Sequence, residues 1–100
     1  MEIIWTETAK NDLKNIFNFI KSEININKAQ LIVFQIIDKT SVLQNMPEAG
    51  QKEPKFECLK NEYRRLIFKH YKIVYYISAE LVYINRVFDS RQNPNKLFIK

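Results

Sequence analysis

One hundred residues, 46% hydrophobic and 13% aromatic, suffice for one folded domain with its own core and argue against disorder. A single glycine excludes a glycine-rich phosphate loop, and one cysteine with one histidine excludes an internal disulfide and leaves no metal-ligand spacing. No apolar run approaches the ~20 residues of a membrane span. The net charge of +5 is uneven: residues 1–50 sum to −1 and residues 51–100 to +6. Either the second half meets an acidic partner, nucleic acid or protein, or it presents a lysine-rich solvated surface.

In chain order, Glu2 to Trp5 reads as a short first strand, with Trp5 as a core anchor. Thr6-Glu7-Thr8 offers a helix N-cap with an acid in the first turn. Ala9, Leu13, Ile16, Phe17, Ile20 and Ile24 then recur at spacings of three and four, against Lys10, Asn11, Lys14, Asn18 and Lys21 on the other face. Asn25-Ile26-Asn27 breaks the pattern, and Asn27 is placed to cap a second helix. That helix carries Ala29, Ile32, Val33, Ile36, Ile37, Thr40 and Leu43 in helical period. Met46-Pro47-Glu48-Ala49-Gly50 ends it, because Pro47 cannot sit inside a helix and Gly50 supplies a turn.

Residues 51–62 read as a polar surface connection containing Pro54 and Cys58. Three β-like runs follow, near 63–68, 71–78 and 81–89, joined by Lys69-His70 and Ala79-Glu80, so an antiparallel meander is expected. Asn93-Pro94-Asn95 then breaks secondary structure again. The whole predicts one domain over residues 1–100. It is an α+β fold in β-α-α-β-β-β order, with a helical hairpin on one face of a small, mainly antiparallel sheet.

Alternation sorts the strand residues. Arg64, Leu66 and Phe68 oppose Tyr63, Arg65 and Ile67. Tyr71, Ile73, Tyr75 and Ile77 oppose Lys72, Val74 and Tyr76. Val82, Ile84, Arg86 and Phe88 oppose Tyr83, Asn85, Val87 and Asp89. Both parities carry large apolar groups, so the inward one is open from sequence. Cations are depleted from strands, and Arg65, Lys72 and Arg86 are expected on or beside an open face, joined at its end by Arg91. Interleaved with tyrosines they suit RNA, where rings stack bases and cations hold phosphates; a meander with half-buried tyrosines and a solvated rim explains them equally.

No nucleophile-and-base pattern is present. His70 is read as a solvent-facing turn residue and Cys58 as structural or incidental. The first residues lack a basic segment followed by an apolar one, so no secretory signal is read and a cytoplasmic protein is expected.

The ordered set Ala9-x-x-Asp12-Leu13-x-x-Ile16-x-x-Phe19-Ile20, Ala29, Leu43-x-x-x-Pro47-x-x-Gly50, Arg64-x-Leu66, Tyr71 to Ile77 and Val87-Phe88-Asp89-x-Arg91-Gln92-Asn93-Pro94 resembles the RelE/ParE superfamily, over about residues 3–97. These are toxins of bacterial type II toxin–antitoxin modules, which stabilise plasmids. The resemblance implies a cognate antitoxin with an acidic or amphipathic segment, a hetero-oligomeric complex, and no metal or cofactor. RelE-like members are ribosome-dependent mRNA endonucleases; on that reading Arg65, Lys72 and Arg91 hold phosphate and stabilise the transition state. The late Tyr or His of that branch has no match after Arg91. ParE-like members instead poison DNA gyrase without being hydrolytic enzymes, and the first helix, the Pro47-x-x-Gly50 break and Arg64-x-Leu66 look more like this branch. Arg64, Arg65, Lys72, Arg86 and Arg91 are then contacts to target or antitoxin, or, in the structural alternative, Arg64 or Arg91 pairs with Asp89 or Glu62 to brace the sheet end. A third reading is a non-toxic member that only binds antitoxin as a co-repressor.

Overall fold

The computed structural model describes residues 1–53 and 62–91. Cys58, Pro54 and the break expected at 93–95 lie outside the described residues. The elements are β1 (Glu2–Trp5), α1 (Glu7–Glu23), α2 (Ile26–Thr40), a 3₁₀ turn at Ser41–Gln44, β2 (Gln51–Lys52), β3 (Tyr63–Phe68), β4 (Tyr71–Ser78) and β5 (Leu81–Asp89). The five strands form one sheet in the order β1-β5-β4-β3-β2, antiparallel throughout except for the parallel pairing of β1 with β5.

The expected meander and helical hairpin are present, with three differences in detail. Asn25, not Asn27, caps α2, its side chain accepting from Lys28 N at 2.8 Å. The second helix ends at Thr40 and tightens into the 3₁₀ turn, which still buries Leu43. Gln51 and Lys52 form the two-residue edge strand β2 inside the expected connection.

The hairpin covers one face. Ala9, Ile20, Ala29, Ile32, Ile36 and Leu43 pack against Leu66, Ile73, Tyr75, Val82, Ile84 and Val87. Trp5, partly buried, joins this core. A second, smaller cluster of Val74 and Phe88, with Tyr63 against it, lies on the opposite parity. Tyr63, Tyr76 and Tyr83 run across the strands there with ring centroids 5.1 Å apart.

The simple alternation along β5 fails at one point. The pairing shifts between Tyr75↔Ile84 and Val74↔Arg86, so Asn85 is the extra residue of a β-bulge. The bulge moves Val87, rather than Arg86, into the core behind Val82 and Ile84. It also sends Phe88 to the opposite face with Val74.

Both hairpin turns are two residues long. They hold Lys69 at φ 54°, and Ala79 and Glu80 at φ 51° and 63°, left-handed conformations without a glycine or asparagine.

Gly50 sits where backbone must approach closely rather than where φ is positive. An added Cβ would lie 2.5 Å from Arg65 O and 2.7 Å from Tyr75 Oη. The buried Tyr75 hydroxyl accepts from Gly50 N at 2.9 Å and donates to Pro47 O at 2.8 Å. This node, rather than a glycine turn, fixes the chain as it leaves the helices for the sheet.

Candidate functional site

β1 stops at Trp5, leaving the edge of β5 away from β4 without a strand neighbour from Asn85 onward. The start of α1 takes its place. The Thr6 hydroxyl donates to Ile84 O at 2.8 Å while accepting from Ala9 N at 3.1 Å, so one side chain caps the helix and closes the strand edge. One turn on, Asp12 accepts from Val87 N at 2.9 Å and binds Arg86 through both oxygens, at 2.9 and 3.1 Å. Arg86, expected on or beside the open face, instead reaches α1 at the sheet edge, where it meets the buried Asp12 carboxylate. Asp12 is an acid among the buried apolar positions of α1, and that misplacement was the one sequence signal of a partner.

Beyond this pair, α1, the start of α2 and the far ends of β4 and β5 enclose a groove of about 820 Å³. Ile16, Ile20, Ile32, Tyr71 and Val87 give it an apolar floor. Phe19 and Ile24, 66% and 61% exposed, extend that apolar surface. Its rim carries Lys28, Lys69 and His70 beside the paired Arg91 and Asp89. Arg91 is clamped to Asp89, Nη2 to Oδ2 at 2.6 Å and Nε to Oδ1 at 2.9 Å. Those hydrogen bonds hold the Asp89 carboxyl below its ordinary range and raise Arg91. His70 occupies the expected turn but is half-buried, its Nε2 3.7 Å from Asp89 Oδ2 and its ring 4.3 Å from that of Tyr71. Burial, then the Asp89 charge, pushes the Tyr71 phenol up.

The remaining cations stand elsewhere, and each has an internal partner. Arg64, on the helix-facing parity, donates to Gly50 O at 2.8 Å and lies 3.5 Å from Glu62. Arg65 and Lys72 share the other parity and converge on Glu53, whose side chain is 1% exposed, at 3.4 and 3.5 Å. Arg65 also donates to Lys52 O at 2.7 Å and to the Gln51 side chain at 3.2 Å. Thus Arg64 and Arg65 grip β2 from opposite sides of β3. Glu53, which joins Arg65 to Lys72, carries no signal in the sequence. The five residues therefore do not form one cluster. Arg86 and Arg91 line the groove, Arg65 and Lys72 form a pair on the far face, and Arg64 braces the loop before β2.

Residues 3–94 match the family model described as ParE toxin of type II toxin-antitoxin system, parDE. The chain belongs to this ParE family. Membership makes it a toxin of the type II class and implies an antitoxin partner. The ParE-like fold is shared with a solved structure described as "Chromosomal ParDE TA system from P. aeruginosa". The two are 22% identical and align at a TM-score of 0.76 over 89% of this chain and 95% of the other. No curated protein sequence matches the chain. Among the described residues, no helix of this ParE-family chain is long and apolar enough to cross a membrane, and no His, Cys, Asp or Glu cluster could hold a metal ion.

Proposed function

We propose that this ParE-family chain acts by binding protein: it inhibits DNA gyrase and is neutralised by an antitoxin seated in the groove between α1 and the sheet. The observation that carries this reading is the internal pairing of the cations. A ribonuclease site needs cations free to meet a dianionic transition state. Here the carboxylate of Glu53 occupies Arg65 and Lys72, Asp12 occupies Arg86, and Asp89 occupies Arg91. The groove supplies what a helix-binding surface needs, an apolar floor with charge at its rim. A segment that is apolar on one side and acidic at its margins fits it, folding as it docks.

One observation favours the second reading, a ribosome-dependent mRNA endonuclease. Arg65 and Lys72 do lie side by side beside the tyrosine row. The two are separated by pulse-labelling after the chain is induced alone in a bacterium. Gyrase inhibition predicts that thymidine incorporation falls first, with DNA-damage signalling. An early fall in methionine incorporation with cut mRNA would overturn it and make Arg65, Lys72 and Arg91 the active site. No effect on either synthesis would leave only the antitoxin-binding co-repressor.

A further inference from the structure

We infer that the groove seats its partner one way round: Lys28 and Lys69 select acidic side chains along one margin, and the α1 side takes the apolar ones. The inference rests on the groove being the antitoxin seat and adds which residues choose the partner. Most charged groups that line the groove are already matched. Asp12 pairs with Arg86 at 2.9 Å and Asp89 with Arg91 at 2.6 Å, and His70 Nε2 lies 3.7 Å from the same Asp89 oxygen. Lys28 and Lys69 line it too, and neither has a carboxylate partner among the described residues. Lys69 Nζ rests 5.7 Å from the centre of the Phe68 ring. A matched pair presents little net field to an incoming carboxylate, whereas an unmatched ammonium presents a whole charge.

The two lysines stand on the same side. Helix α1 lies against β5 and α2 against β3, so the groove runs from an α1/β5 side to a side formed by α2 and the β3–β4 turn. Lys28 belongs to the first turn of α2, half-buried, with Ile32 one turn further along the same wall. Its stem can cover apolar surface while the ammonium stays in water. Lys69 belongs to the β3–β4 turn and is exposed. On the other side α1 contributes Asp12, Asn15, Ile16, Phe19 and Ile20, with no cation among them. The partner of matching chemistry is therefore an amphipathic segment whose acids lie along the margin facing Lys28 and Lys69. Its apolar side chains press on Ile16 and Phe19. Turned about its long axis, the same segment would bring its acids to Asp12 and an apolar wall, and would lose both lysines.

Binding kinetics of the full chain with the purified antitoxin of its own operon test this. Lys28→Glu and Lys69→Glu should each slow association at least about tenfold and flatten its dependence on salt, with the melting temperature kept. Lys28→Arg should associate as the original does. Lys14→Glu, the same charge change on the outer face of α1, should slow association far less. Zero-length carbodiimide coupling of the complex should join Lys28 and Lys69, and not Lys14, to antitoxin carboxylates. If Phe19→Ala speeds dissociation while both lysine reversals leave association unchanged, the groove remains the antitoxin seat and this inference falls. If Phe19→Ala and the lysine reversals are all without effect, the groove reading itself fails and takes the inference with it. Equal slowing by Lys14→Glu, or coupling at neither lysine, would also overturn it.

Discussion

Asp12 and Arg86, 74 residues apart in sequence, form a two-point ion pair whose carboxylate also accepts from Val87 N. The side chains are only 10% and 16% exposed, so the pair is shielded from water and joins α1 to the bulged part of β5. Removing one member of such a pair leaves a buried charge, which costs about 3–5 kcal/mol. Asp12→Ala should therefore lower the melting temperature by upward of about 12 °C. Asp12→Asn keeps an acceptor for Val87 N and should cost less. Thermal melts of the two variants check the order; equal losses would contradict it.

The Gly50 node gives a second stability prediction. A methyl group there meets Arg65 O, a strand carbonyl that cannot move aside, so Gly50→Ala should destabilise by about 1–3 kcal/mol. Tyr75→Phe leaves Gly50 N and Pro47 O without their shared partner, also a loss of about 1–3 kcal/mol. Both act on one contact, so denaturant unfolding of the double variant should show less than the sum.

Glu53 neutralises the two cations of the far face, Arg65 and Lys72. Glu53→Gln releases Arg65 and Lys72 from a buried negative charge. Binding to single-stranded RNA should then strengthen, with its dependence on log salt steeper by about 1–2. Arg65→Ala and Lys72→Ala should each keep toxicity if they keep the fold. Loss of toxicity in both, with RNA cleavage abolished, would transfer these residues to an active site.

Phe19 gives the clearest probe of the groove, because it is exposed and a change there stays within about 0.5 kcal/mol of the original stability. Phe19→Glu puts an acid where an acidic-margined segment would press an apolar side chain. Antitoxin affinity, measured by calorimetry, should fall at least about tenfold, on the order of 1.4 kcal/mol. Unchanged affinity would move the antitoxin off this surface.

Stability should be flat in the middle of the pH range and fall at both ends. The hydrogen bonds of Arg91 lower Asp89 in the folded chain, so its contribution is present above about 3.9 and lost as pH falls through the folded value. Burial raises Tyr71, Tyr75 and Tyr76, and their contribution is present below about 10 and lost as pH rises through their folded values. Asp89→Asn should flatten the acid limb of melting temperature against pH, and Tyr76→Phe the alkaline limb.

The three meander strands and both helices were legible because their signals are local: alternation, helical spacing and two-residue joints. What was not legible depends on contacts across the fold. Strand β2 is two polar residues, and its pairing is reinforced by Arg64 and Arg65 binding backbone carbonyls on either side of β3. The inward parity stayed open because Tyr63, Tyr76 and Tyr83 give the far face an apolar row of its own. The bulge at Asn85 leaves no mark in the sequence, and it decides that Val87 rather than Arg86 enters the core. The cations were visible as a set, but their neutralising partners Glu53, Asp12 and Asp89 lie in three different parts of the chain.

The central claim is most directly tested with purified gyrase, supercoiled plasmid and the full-length chain. The account predicts that cleaved DNA accumulates with gyrase trapped on it, and that added antitoxin reverses the effect. Gyrase left unaffected, while mRNA is cut on purified ribosomes by the same preparation, would contradict it.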